Sequence, residues 1–154
     1  MNNTAPDLPA SPEKTPHLLL ENQLCFPLYA AARKVVNRYT PYLKPLGITY
    51  TQYIVLLALW EADGATVGDL CRRLYLDNGT VTPLLKKMEE AGLVVRSRSR
   101  QDERVVTVHL TEAGRALRQR AGEVPGLVGG CIQLQPEEAS ALWSLLQKLL
   151  RAVE

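Results

Sequence analysis

The stretch from position 66 to position 114, TVGDLCRRLYLDNGTVTPLLKKMEEAGLVVRSRSRQDERVVTVHLTEAG, decides the fold. Before Gly92 the apolar residues recur every three or four positions, which predicts helices. One stripe of this kind consists of Val81, Leu84, Leu85 and Met88. After Gly92 apolar and polar residues alternate, which predicts strands over about 93–98 and 104–110 joined by a polar turn. Two short helices followed by a β-hairpin are therefore expected.

Helix starts are marked by capping residues. Thr49 with Gln52, and Thr66 with Asp69, have the spacing of a capping box. The helix that carries the apolar stripe has three candidate caps, Asp77, Asn78 and Thr80. Pro83 is acceptable if Thr80 is the cap, because it then lies in the first turn, where its missing N–H has no partner.

The flanking segments also predict helices. One helix is expected over about residues 18–39, ended by Pro41 and Pro45, and Pro27 is tolerable only in its first turn or at a kink. The last helix is expected to begin at Pro136. Its apolar side consists of Leu142, Leu145, Leu146, Leu149 and Val153. A monomer of 154 residues could not easily cover this side, which favours a homodimer.

Helices followed by a hairpin with an arginine-rich tip are the layout of a winged helix-turn-helix, mainly α with a small β wing. The outward face of the second helix is predicted to carry Thr80, Thr82, Pro83, Lys86 and Lys87. The hairpin carries Arg96, Arg98, Arg100, Asp102 and Arg104. Hydroxyls and lysines suit the major groove, and arginines on a narrow tip suit the minor groove.

Basic residues of this kind are, taken singly, more often a solvated surface. The net charge of +2 is also too small to indicate a nucleic-acid partner. Two basic elements in the order of a winged helix nevertheless favour double-stranded operator DNA as the partner. We expect residues 1–16 to form a flexible tail and 49–110 the DNA-binding region. Segments 17–48 and 111–154 are expected to form the helical dimerisation region of the same compact domain.

The same stretch resembles the core of the MarR family of winged-helix repressors. The resemblance rests on the second helix, the Gly-Leu after it, the D-E-R pattern at positions 102–104 and LTEAG at 110–114. It implies an intertwined homodimer in which each subunit reads half of a near-palindromic operator. It also implies that Asp102 orients Arg104.

LCFPLY at 24–29 and LYLDNGTVTPLLK at 74–86 are similar to the organic hydroperoxide resistance branch of that family. In that branch a peroxide oxidises a cysteine at the start of the first helix to sulfenic acid, and two tyrosines assist it. The matching residues are Cys25, Tyr39 and Tyr50. Cys131 matches a second cysteine that, in some members, resolves the sulfenic acid as a disulfide between subunits. In other members a small thiol does so.

This chemistry is reasonable without the resemblance. A thiolate is the nucleophile, and hydrogen-bond donors such as tyrosine hydroxyls increase its population. Cys25 and Tyr39 are 14 positions apart, roughly 21 Å along one straight helix. A contact between them needs the other subunit or a break in the helix. The alternative for Cys25 is a buried structural thiol, and for Cys131 an incidental thiol in a loop.

Other classes of protein explain less of the sequence. A thiol peroxidase would rest on Cys25 alone and would give no reason for the wing, so no enzyme activity is expected. A repressor gated by a small phenolic ligand keeps the wing but leaves the cysteines and tyrosines unexplained.

Composition bounds the remaining possibilities. Three widely spaced cysteines argue against a disulfide framework and a zinc site, and no cofactor motif occurs. No apolar run is long enough for a membrane span, and the first 17 residues lack the layout of a signal peptide. A cytoplasmic protein without metal or cofactor is expected.

Overall fold

The computed structural model describes residues 16–98 and 105–153. The chain divides into two compact units, Met1–Val35 and Val36–Glu154. The helices are α1 (Cys25–Leu43), α2 (Tyr50–Glu61), α3 (Val67–Leu74), α4 (Asn78–Glu90), α5 (Glu112–Ala121), α6 (Val124–Gly129) and α7 (Pro136–Ala152). The strands are β1 (Ala65–Thr66), β2 (Val94–Arg98) and β3 (Val106–Leu110). Short 3₁₀ turns occupy Pro16–Leu18, Leu20–Asn22 and Lys44–Leu46.

The sheet is antiparallel in the order β1-β3-β2. In the hairpin, Val94 pairs with Leu110 and Arg96 pairs with Val108, which confirms the two strands predicted from the alternating pattern. The two-residue strand β1, whose Ala65 pairs with Val108, was not predicted because two residues are too few to show a period. Helices with one small sheet confirm the predicted fold class of a winged helix-turn-helix.

The core of the second unit forms around α4. Val81, Leu85 and Met88 are completely buried, and Leu84 is half-buried against the same core, which confirms the predicted stripe. The partners of α4 in this core come from α2, α3 and the sheet, and they include Leu56, Leu70, Val94 and Val108. The short segments are thus held by side-chain packing more than by their own helical propensity.

Caps define where the central helices begin. Both predicted capping boxes are present, Thr49 with Gln52 at α2 and Thr66 with Asp69 at α3. The cap of α4 is Asp77, whose carboxylate accepts from the backbone N–H of Thr80 at 2.9 Å. This satisfies one of the N–H groups that lack a partner at a helix start.

Three expectations about prolines and boundaries need comment. Because Asp77 and not Thr80 is the cap, α4 begins at Asn78 and Pro83 is its sixth residue, so the condition that would place Pro83 in the first turn is not met. Pro41 does not end α1, which continues to Leu43 although the ring removes one backbone hydrogen bond. The first α-helix starts at Cys25 and not near position 18, which puts Pro27 in the first turn, as one predicted alternative required.

Apolar side chains of α7 are exposed in the single chain. Trp143 is 65% exposed and Leu145 64%, and Leu142 and Leu149 are also exposed. α7 begins at Pro136, as predicted.

Within the described residues, no helix combines the length and the apolar character needed to cross a membrane.

Gly114 of the LTEAG motif occupies a position with no room for a side chain. A Cβ there would collide with the backbone carbonyl oxygen of Leu93 and lie 3.2 Å from the Leu110 side chain. Its own carbonyl accepts a hydrogen bond from the indole N–H of Trp60 at 2.9 Å. The start of α5 is therefore packed directly on the backbone before β2.

We expect Gly114→Ala to lower the free energy of unfolding by about 2 kcal/mol or more, because the backbone must move to admit the methyl group. Gly126→Ala is the matched control, since a Cβ at this helical position in α6 has nothing within 4 Å. It is expected to be neutral or to stabilise by up to about 1 kcal/mol. Urea denaturation of both variants measures the difference, and equal stabilities would contradict the packing described for Gly114.

Candidate DNA-binding surface and thiol site

The outward face of α4 carries the residues predicted to contact DNA. Thr80, Thr82, Pro83, Lys86 and Lys87 are all exposed. The Thr80 hydroxyl donates to the Asp77 carboxylate at 2.9 Å. This bond, with the one from the Thr80 N–H, lowers the pKa of Asp77. The hydroxyl of Thr80 therefore presents its oxygen as an acceptor, whereas that of Thr82 lies on the open surface.

The wing is fastened to α4 by an ion pair. The Glu89 carboxylate accepts from the Arg96 guanidinium at 2.7 Å and 3.0 Å, and from the Arg96 backbone N–H at 2.9 Å. These bonds, led by the side-chain one, lower the pKa of Glu89. Arg96 thus holds β2 against α4, a role that the sequence did not reveal.

The remaining predicted wing residues divide into two groups. Arg98 is exposed at the end of β2. Arg100, Asp102 and Arg104 lie outside the described residues. Between the wing and α4 runs a groove of ≈ 400 Å³ whose lining includes Thr82, Lys86 and Arg98. The two predicted basic elements therefore border one groove.

All three cysteines are free thiols. Cys25 is the first residue of α1, is exposed and belongs to the first unit. Cys131 is exposed in the turn between α6 and α7, in the second unit. The two thiols belong to different units, and their pairing stays a prediction. Cys71 is half-buried against the core, and its thiol donates to the Asn78 side chain at 3.3 Å.

The structure brings the two predicted tyrosines together. The ring centroids of Tyr39 and Tyr50 are 4.8 Å apart, and the ring centroid of Tyr53 lies 5.9 Å from that of Tyr39. Burial raises the pKa of Tyr50, with a smaller contribution from Tyr39. Tyr53 was missed by the sequence analysis, because a buried tyrosine on a hydrophobic helix gives no pattern distinct from core.

A fourth tyrosine contacts the predicted resolving cysteine. The Tyr42 hydroxyl lies 3.7 Å from the Cys131 sulfur, and the Cys131 thiol donates to the Leu127 carbonyl at 3.4 Å. The hydrogen bond with Cys131 raises the pKa of Tyr42. No local sequence signal could have found this contact, since the two residues are 89 positions apart.

Comparison with known proteins identifies relatives that match most of the chain. The family described as transcriptional regulator SarA/Rot matches residues 38–120. The organic hydroperoxide resistance transcriptional regulator of Bacillus subtilis is 46% identical over 140 residues, which cover 91% of this chain and 95% of that protein.

Solved structures agree with the sequence relatives. The structure of reduced AbfR bound to DNA superposes with a TM-score of 0.74 at 35% identity, covering 88% of this chain and 94% of that one. AbfR is a protein of Staphylococcus epidermidis. The disulfide form of AbfR gives 0.63 at 36% identity, with 88% and 93% covered. A cysteine-to-serine mutant of MarR from E. coli, complexed with operator DNA, gives 0.72 at 30% identity, with 82% and 93% covered.

A helix with an exposed basic face beside a β wing defines a winged-helix transcriptional regulator. The chain belongs to the MarR/SarA family of these regulators. This confirms the family resemblance read from the sequence, and it makes the chain a regulator and not an enzyme.

We expect Glu89→Gln to melt at a lower temperature than the wild type above about pH 5, because the wing loses its ion pair. The pKa of Glu89 is lower in the folded state than in the unfolded state, where it is about 4.3. The ion pair therefore stabilises the folded state fully above the unfolded-state pKa, and this stabilisation is lost as the pH falls through the lower folded-state pKa. The difference in melting temperature should therefore shrink below about pH 4.

Melting curves recorded between pH 3 and pH 7 measure this difference. Glu90→Gln is the control, because its side chain is exposed on the neighbouring position. If the melting temperature of Glu89→Gln differs from that of the wild type by the same amount at every pH, a role for the ion pair is contradicted.

Proposed function

We propose that this protein is a peroxide-sensing transcriptional repressor that binds operator DNA as a reduced homodimer. An organic hydroperoxide oxidises Cys25 to a sulfenic acid, and Cys131 of the partner subunit then forms a disulfide with it. Formation of this disulfide releases the DNA. The observation that carries the proposal is an exposed thiol at the first residue of α1, in a chain 46% identical to an organic hydroperoxide resistance regulator.

DNA reading is assigned to α4 and the wing. Thr80 and Thr82 would meet base edges in the major groove, and Lys86 and Lys87 would meet phosphates. Their exposure on one face of α4, opposite the buried stripe, supports this. Pro83 lies on the same face. The DNA-bound structures of AbfR and MarR show that relatives of this fold bind DNA.

The wing is assigned to the minor groove and its phosphates. Arg98, Arg100 and Arg104 would supply the charge there, with Asp102 orienting Arg104. Arg96 would act mainly by fixing the wing, because its guanidinium is already paired with Glu89. The reading head would thus be residues 49–110, with 17–48 and 111–154 forming the dimer.

The redox step involves two electrons. The Cys25 thiolate attacks the terminal oxygen of the hydroperoxide, the O–O bond breaks, and the alkoxide takes up a proton and leaves as an alcohol. The thiolate of Cys131 then attacks the Cys25 sulfenic sulfur, forms the S–S bond and expels hydroxide, which is protonated to water. AbfR, a relative at 36% identity, exists as a disulfide form, which supports this second step.

Tyr39 and Tyr50 are assigned to the Cys25 site. Their rings lie against each other, and the raised pKa of Tyr50 keeps its hydroxyl protonated and able to donate. Such donors would stabilise a thiolate. Contact with Cys25 of the partner subunit would couple oxidation to dimer geometry.

Release of DNA follows from that coupling. Two reading heads bind together only if their separation matches about one turn of DNA. A disulfide at the dimerisation helices would change this separation and weaken binding. A cytoplasmic location, where thiols begin reduced, is part of the proposal.

Exchange of the two cysteines for serine tests the redox mechanism. We expect Cys25→Ser to bind operator DNA but to stay bound in organic hydroperoxide, because no thiolate can be oxidised. Wild type should lose binding and form a dithiothreitol-reversible dimer band, which Cys131→Ser should not form. Gel shifts at fixed salt, with a non-reducing gel alongside, measure both.

Two outcomes of this experiment would argue against the proposal. If Cys25→Ser is released by peroxide as readily as wild type, the sensing assignment is wrong. Release of both proteins by a phenolic ligand instead would support the alternative, a repressor gated without cysteine oxidation. Cys71→Ser serves as a control for general thiol chemistry, since Cys71 is half-buried against the core.

The role of Lys86 is tested by the salt dependence of DNA binding. Lys86→Ala should weaken binding to operator and non-operator DNA alike and lower the slope of log affinity against log salt by about 0.9 for each subunit. Lys148→Ala removes an equal charge from the exposed side of α7 and should leave the slope unchanged. Fluorescence anisotropy between about 50 mM and 200 mM salt measures both, and equal slopes for the two variants would refute the phosphate contact.

A further inference from the structure

Cys131 is held by two contacts of opposite polarity. Its thiol donates to the carbonyl of Leu127 near the end of α6, at 3.4 Å. When the thiol proton is used in that bond, the phenol hydroxyl of Tyr42 is the donor in the contact at 3.7 Å. The sulfur therefore already accepts a hydrogen bond while it is a neutral thiol.

Loss of the thiol proton changes the two contacts in opposite ways. An anionic sulfur can no longer donate, so its contact with the Leu127 carbonyl becomes repulsive. The Tyr42 hydroxyl then donates to a charged acceptor, which makes a stronger bond than one to a neutral group. The raised pKa of Tyr42 agrees, because the phenol keeps its proton beside the sulfur.

The position of Tyr42 on α1 links this corner to the tyrosine pair. Tyr39 and Tyr42 are three residues apart on one helix, so they are neighbours on its surface. Tyr39 lies against Tyr50, the pair assigned to the partner's sensing thiol. Cys131 thus lies beside the same stretch of α1 that carries Tyr39 of that pair.

We propose that Tyr42 is a positioning residue for the resolving step, donating its hydroxyl to the Cys131 sulfur and so stabilising the thiolate that attacks the sulfenic acid. This rests on the proposed function for its biological meaning. Arg38 lies one turn before Tyr42 on α1, and its positive charge partly offsets the rise in the pKa of Tyr42.

The proposal predicts a crossing of two pH–rate profiles. Taken alone, loss of this hydrogen bond to the anionic sulfur would slow the reaction of Cys131 roughly tenfold at low pH, at the lower range for a bond to a charged group. The less stabilised thiolate is, however, about threefold more nucleophilic, because nucleophilicity falls as an anion is stabilised. The net effect of Tyr42→Phe is roughly a threefold slower reaction at low pH and a faster one at high pH.

The first experiment uses Cys131 as the sole cysteine. In a Cys25→Ser, Cys71→Ser protein, the rate of alkylation by iodoacetamide is measured from about pH 6 to about pH 11, with and without Tyr42→Phe. The profiles should cross as described. Tyr75→Phe removes an exposed phenol at the end of α3 and should give the same profile as its parent. A purely structural effect of Tyr42→Phe would scale the rate equally at all pH values and would overturn the proposal.

The second experiment measures the disulfide step in the otherwise wild-type protein. Tyr42→Phe should form sulfenic acid at Cys25 at the wild-type rate, detected by dimedone trapping, but form the intersubunit disulfide about threefold more slowly at neutral pH. Faster disulfide formation in the variant at every pH would show that Tyr42 restrains Cys131, and would overturn the proposal. If the alkylation profiles cross but wild type forms no disulfide, the two-cysteine function fails while the Tyr42 contact stands.

Discussion

Complete burial of Val81, Leu85 and Met88 decides which side of α4 meets solvent. An exposed apolar side chain of this size costs about 1.5–3 kcal/mol relative to a buried one, so rotating α4 about its axis would be prohibitive. The opposite side, with Thr82, Lys86 and neighbouring polar residues, is therefore outward by necessity. The proposed DNA-binding face is therefore one that core packing has already oriented.

The wing depends on the same helix. Glu89 holds the backbone and the side chain of Arg96, and Gly114 allows α5 to pack directly on the strand entry at Leu93. The two basic elements are therefore positioned together by the same contacts. Redox control fits this arrangement, since Cys131 and the tyrosines belong to elements outside α4 and the wing.

The spacing of apolar and polar residues predicted most of the fold but few of the contacts at the candidate site. The α4 stripe, the hairpin and the capping boxes follow from local spacing, so the sequence predicts them. The sequence left the position of Pro83 within α4 open because three residues could cap this helix, and the structure shows that Asp77 is the cap. The Glu89–Arg96 and Tyr42–Cys131 contacts join residues that no helical or strand period relates. Cys25 and Cys131 were found through family resemblance, and their pairing is still a prediction.

The central claim is that oxidation of Cys25 controls DNA binding. The most direct test follows both quantities in one titration, with operator occupancy measured by anisotropy and the oxidation state of Cys25 measured by mass spectrometry of the same samples. The account predicts that the loss of occupancy follows the loss of the free Cys25 thiol over the whole range of organic hydroperoxide. DNA release while Cys25 remains a thiol would contradict it.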